Sequence, residues 1–111
     1  MNKEMMKGSI DLLLLSIISN KDMYGYEMIQ ALKQTSEEAY SMSEGTLYPA
    51  LKRLETQELI FSYWVEQDNN RPRKYYQITE DGKKALQVKL KDWQQINQLI
   101  SKWNDGRTVY E

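Results

Sequence analysis

The 111-residue chain carries 15 Lys and Arg against 16 Asp and Glu, a formal net charge of -1, and has neither cysteine nor histidine. This excludes a disulfide framework, a thiol nucleophile and any Cys/His zinc site, and it suits a reducing, cytoplasmic setting. The length fits one domain with a modest core, small enough to share stability with a second subunit.

A first helix is expected from about Lys3 to Ser19. Ile10, Leu13, Leu14, Ile17 and Ile18 form one stripe, while Met5, Met6, Leu12 and Leu15 place apolar surface elsewhere on the cylinder. A helix apolar on more than one side needs more than one neighbour. Its run IDLLLLSII is far shorter than the roughly 20 residues of a membrane span, and Asp11 at its start argues against a secretion signal. NKDMYG breaks the pattern. YGYEMIQALKQ then makes a second, shorter helix with Met28, Ile29 and Leu32 inside, and the polar stretch TSEEAYSM leads to a third.

Residues 43 to 60, SEGTLYPALKRLETQELI, read as that third helix, with Ser43 as its cap. Leu47, Ala50, Leu51 and Leu54 form a core stripe, and Gly45, Thr46, Tyr48, Pro49, Lys52 and Arg53 lie on the other side. Pro49 cannot donate to the carbonyl of Gly45, and its ring crowds that turn. Helical regularity is therefore given up on the face left for a partner. Such a face fits the major groove of B-DNA.

Two runs rich in β-branched and aromatic residues follow, Ile60 to Glu66 and Lys74 to Ile78, separated by Asp, Asn, Asn, Arg and Pro. They predict a hairpin with Pro72 at the turn or a strand end. Arg71, Arg73 and Lys74 put three positive charges near its tip. From Asp11 to Asn70 there are four Lys/Arg and ten Asp/Glu, against seven and two from Arg71 to Lys91, so positive charge collects late in the chain. A basic wing follows the phosphate backbone or enters the minor groove, supplying salt-sensitive affinity.

A long terminal helix is expected from Thr79, which can cap it, with Glu80 and Asp81 at the favourable end of its dipole. Leu86, Leu90, Trp93, Ile96, Asn97, Ile100 and Trp103 recur at threes and fours, and Gly106 would end it. This is more apolar surface than a hairpin can cover. It predicts a homodimer in which the helix packs on the first helix of a second copy. Two recognition helices would then meet DNA half-sites about 34 Å apart.

The fold class is mainly α with a small β-hairpin: a winged helix-turn-helix over residues 1 to 78, including the N-terminal helix, then a dimerisation helix and tail over residues 79 to 111. The segments YGYEMIQAL, GTLYPALKRLE and RPRKYYQITEDG, in that order over about the first 90 residues, resemble the PadR family of bacterial transcriptional regulators. The short C-terminus resembles the subgroup with one long terminal helix.

The resemblance implies a dimeric repressor on an inverted-repeat operator. Its recognition face would be Ser43, Thr46, Tyr48, Lys52 and Arg53, and its wing Arg71, Arg73 and Lys74. Tyr24, Tyr26, Tyr75 and Tyr76 fall on motif positions expected chiefly to pack, with hydroxyls able to reach a phosphate. The tip DNNRPRKYY departs from the more glycine-rich turn of the family. KDWQQIN is similar to the tryptophan region of multidrug-binding PadR-type repressors. That implies a small aromatic or phenolic effector in a cavity lined by Leu12, Leu86, Trp93 and Asn97, with Asp11 attracting cationic compounds. The alternative for Trp93 is plain packing at the dimer interface.

No motif pairs two of the 16 carboxylates, and no glycine-rich phosphate cradle or metal-ligand spacing occurs. Neither catalysis, a cofactor, a metal nor a membrane partner is expected. The competing reading is a winged-helix module that binds protein rather than DNA, mildly favoured by the acidic average charge.

Overall fold

A computed structural model of the chain describes residues 9–68 and 71–105. In chain order these form α1 (Ile10–Asn20), β1 (Met23–Tyr24), α2 (Gly25–Thr35), α3 (Glu44–Thr56), β2 (Ile60–Val65), β3 (Arg73–Ile78) and α4 (Glu80–Asn104). Met5, Met6 and Gly106, expected to extend the first helix and end the last, lie outside the described residues. The mainly helical architecture with a basic hairpin is the one expected, with one strand more.

That strand is β1. Met23 pairs with Tyr76 and Tyr24 with Tyr75, giving an antiparallel sheet of order β1-β3-β2. Two residues are too few to show a period-two alternation, which is why the segment reads as a mere helix break. The pairing ties the start of α2 to the wing. The hairpin itself runs in register from Ile60 opposite Ile78 to Val65 opposite Arg73.

Helix ends follow from local chemistry. Ser43 and Thr79 cap α3 and α4 by accepting from the amides of Thr46 and Gly82 at 3.2 and 2.9 Å. The Glu27 carboxylate accepts from the Tyr24 amide at 3.3 Å at the head of α2. α3 stops four residues before the expected end at Ile60. Gln57 caps it, Glu58 turns left-handed at φ 62, and the Leu59 amide reaches back to the Leu54 carbonyl at 3.0 Å. Glycine is the usual residue there, so a glutamate costs about 1 kcal/mol and leaves no signal in the sequence. α2 ends likewise, through Glu37 and Glu38 at φ 53 and 65.

One core joins all the elements. Leu14, Leu15 and Ile18 of α1 meet Met28 and Leu32 of α2 and the α3 stripe of Leu47, Ala50, Leu51 and Leu54. Ile60, Tyr76 and Ile78 close it from the sheet, and Leu86 from α4. Each fully buried Leu or Ile contributes about 1.5–3 kcal/mol, so this stripe fixes which face of α3 is turned outward. The first turns of α4 share this core through Gly82 and Leu86, whereas every residue from Lys91 to Asp105 is exposed. No helix among the described residues is long and apolar enough to cross a membrane.

Candidate nucleic-acid interface

The outward face of α3 begins at its cap. The Ser43 hydroxyl, besides accepting from the Thr46 amide, donates to Thr46 Oγ1 at 3.3 Å, so these two candidates are positioned by one another. Tyr48, Pro49 and Lys52 follow along the helix, all exposed. The carbonyl of Gly45 that Pro49 leaves without a helical donor belongs to an exposed turn, where water or a ligand can satisfy it.

Tyr48 leans over the first residue of α2. Gly25 is buried, and a Cβ there would come within 2.7 Å of Tyr48 Cζ. Glycine is what lets α2 and α3 approach so closely at this end. Burial, then the nearby Glu44 carboxylate, push the Tyr48 phenol above its ordinary pKa, so it is a neutral donor at physiological pH.

The sheet brings the wing to the same place. Tyr24, Gly25, Tyr48, Trp64, Arg73, Lys74 and Tyr76 line one cleft of about 350 Å³ between α3 and the hairpin. Three expected DNA-contacting residues, Tyr48, Arg73 and Lys74, thus converge from segments 25 residues apart in sequence. Among the described residues no carboxylate stands within ion-pair distance of Arg73 or Lys74. Their charge is instead turned toward rings: the Arg73 guanidinium sits 4.5 Å from the centre of Tyr24, and Lys74 Nζ lies 5.7 Å from Tyr76 and 6.0 Å from Trp64. Arg71 is exposed just outside β3.

Arg53 behaves differently from the rest of the recognition set. Its guanidinium makes a 2.6 Å ion pair with Asp11 of α1. Both line a second pocket of about 370 Å³, with Ile10, Leu12, Lys89, Asp92, Trp93 and Ile96. Of the five residues expected around an effector, Asp11, Leu12 and Trp93 are here. Leu86 is packed in the core at 6% exposure, because it falls on the α4 turn that still faces α1 and the sheet, and Asn97 is exposed outside the lining. The Asp11 charge, read as a lure for cations, is already met by Arg53.

Trp64 and Gly25 are not among the expected site residues, and Tyr24 and Tyr76 are expected chiefly to pack. Strand alternation supplies a partial signal for Trp64, since it stands directly across from Lys74. No local pattern marks Gly25.

The model of the family described as transcriptional regulator PadR-like matches residues 14–88. A solved transcriptional regulator from Clostridium thermocellum superposes with a TM-score of 0.82 at 34% identity, covering 89% of this chain and 96% of that one. A PadR family transcription regulator from Clostridium difficile gives 0.73 at 41% identity, over 86% and 97% of the two chains. The transcriptional regulator YqjI of Escherichia coli is 30% identical over 84% of this chain, which spans 43% of YqjI.

Proposed function

The chain belongs to the PadR-like family of transcriptional regulators, and from that premise we propose that it works as a homodimeric repressor that reads an inverted-repeat operator through α3 and grips the duplex with its hairpin. The observation that carries this reading is the convergence of Tyr48 from α3 with Arg73 and Lys74 from β3 on one cleft. A groove-reading helix and a phosphate-binding wing have to act on the same stretch of duplex, and this cleft joins them. Ser43, Thr46 and Lys52 extend the reading face, and Arg71 extends the wing.

Dimerisation is supported by the distal half of α4. Trp93, Ile96, Ile100 and Trp103 share one face and are 52, 57, 54 and 58% exposed. An apolar stripe at this spacing has the form of a helix-packing seam, and a second copy of the chain is the occupant that would also pair the two recognition helices. The effector reading rests on the pocket between α1 and α4, whose 370 Å³ is within the range of small-molecule sites. A planar aromatic compound stacked on Trp93 would sit beside Arg53, the one residue of α3 that reaches this pocket.

Salt titration tests the DNA reading. If the dimer neutralises about 6 to 10 phosphates, affinity for a duplex falls about 10³ to 10⁵ fold between 50 and 200 mM salt. Arg73→Ala weakens all sequences alike and lowers the salt slope by about 2 per dimer, while Lys52→Ala narrows the gap between operator and random duplex. Fluorescence anisotropy with both duplexes measures each effect. Affinity independent of salt would rule the reading out, and the reverse pattern in the two variants would exchange the roles of helix and wing.

A further inference from the structure

The wing's two cations both border the cleft but are held differently. Lys74 Nζ stands 5.7 Å from the centre of Tyr76 and 6.0 Å from that of Trp64, at the outer limit of cation–π contact. Arg73 lies 4.5 Å over Tyr24, within direct cation–π contact. The Tyr24 ring is itself braced. It meets the Tyr75 ring in an edge-to-face pair at 5.5 Å and 65°, and Tyr75 stacks on Tyr63 at 6.0 Å and 18°. Strand register makes this row possible, because Tyr24 and Tyr63 stand across from Tyr75 on its two sides. At the far end the Tyr63 hydroxyl donates to the Asp22 carboxylate. That hydrogen bond, with smaller contributions from desolvation and the carboxylate charge, pushes the Tyr63 phenol up to about 12, so it stays a donor.

The row does two things for Arg73. It gives the guanidinium a flat, rigid surface, and at its far end the Asp22 carboxylate is engaged by the Tyr63 hydroxyl. A free arginine loses much rotamer freedom when it meets a phosphate, whereas one already laid on a ring loses less. We propose that Tyr24 is a positioning residue of the wing, its ring seating the Arg73 guanidinium in the orientation in which it meets a backbone phosphate. This rests on the DNA-binding reading above. The role belongs to the ring face and not to the hydroxyl.

The test is a double-mutant cycle on duplex affinity, using a random-sequence duplex at fixed salt with the full chain. Tyr24→Leu weakens binding about threefold to tenfold, Tyr24→Phe leaves it unchanged, and the salt slope of Tyr24→Leu stays at the wild-type value because no charge is lost. In an Arg73→Ala background Tyr24→Leu has no further effect. Proton NMR supplies a readout without DNA: the Arg73 side-chain resonances are ring-shifted upfield in the wild type and in Tyr24→Phe, and return to ordinary positions in Tyr24→Leu.

Equal losses from Tyr24→Leu with and without Arg73 would overturn the proposal, since the ring would then act through the fold. So would a Tyr24→Phe variant as weak as Tyr24→Leu, or wild-type Arg73 resonances that show no shift. A wild-type protein that ignores duplex DNA would remove the DNA-binding reading and the role of Tyr24 together. Tight wild-type binding matched by Tyr24→Leu would remove the proposal alone.

Discussion

Replacing Ile96 and Ile100 together by aspartate yields a folded monomer whose affinity for an inverted-repeat duplex is lower by about 10² to 10⁴ fold. Both side chains are more than half exposed and lie beyond Leu86 and Leu90, the α4 residues packed on the core, so the core is untouched and the helix loses only about 1 kcal/mol in propensity and like-charge repulsion with Asp92. In the proposed dimer the same positions are buried against a second copy, where four introduced carboxylates would have to be desolvated close to one another. The loss in affinity has a separate origin. Two half-sites bound by one dimer benefit from a high effective concentration of the second arm, and a monomer has no second arm. Sedimentation equilibrium reads the mass, circular dichroism the helix content, and anisotropy the binding. A variant that remains dimeric, or a monomer that binds as tightly as the wild type, would move the interface elsewhere.

Gly82→Ala destabilises the fold by about 3 kcal/mol through overpacking, the upper part of the usual range. A Cβ at this position would run into the carbonyl oxygen of Leu59 and stand 2.7 Å from Ile78 Cγ1. The neighbourhood cannot yield easily. The Thr79 amide donates to that same Leu59 carbonyl at 3.0 Å, the Thr79 hydroxyl donates to the Glu58 carbonyl at 2.8 Å, and the Gly82 amide is bonded to Thr79 Oγ1. Backbone from the turn after α3 and from the head of α4 meets at one point beside the Ile78 side chain, and only a residue without a side chain fits. For a domain of this size the melting temperature drops by about 12 to 24 °C at fixed protein concentration. Gly45→Ala provides the contrast. Its Cβ would find only Ser43 Oγ at 3.8 Å, and removing a helical glycine stabilises by about 0.5 to 1 kcal/mol. Scanning calorimetry of the two variants should show shifts of opposite sign; a Gly82→Ala protein as stable as the wild type would contradict the close contact.

Much of the architecture can be read from spacing because it depends on short-range chemistry. The stripe of Leu47, Ala50, Leu51 and Leu54 sets the inward face of α3 whatever it packs on, and the same stripe leaves Tyr48, Pro49 and Lys52 outside. Ser43 and Thr79 serve as caps because each has a hydroxyl three residues before an orphan amide. The basic character of Arg73 and Lys74 needs no fold to be recognised.

Other features had no such signature. The Arg53–Asp11 pair joins residues 42 apart in the chain. It draws toward the pocket between α1 and α4 a side chain that helical spacing assigns to the face expected to meet DNA. Leu86 and Trp93 belong to one apolar run, yet one is buried in the core and the other lines a pocket, because α1 and the sheet cover only the first turns of α4. β1 exists only because β3 is there to pair with it, and the seat of Arg73 on Tyr24 exists only through that pairing. Periodicity and capping specify which side of an element is apolar and where it can end, since those depend on neighbours within a turn. Which surface it then meets depends on how distant elements stack, and that is settled only when the backbones are brought together.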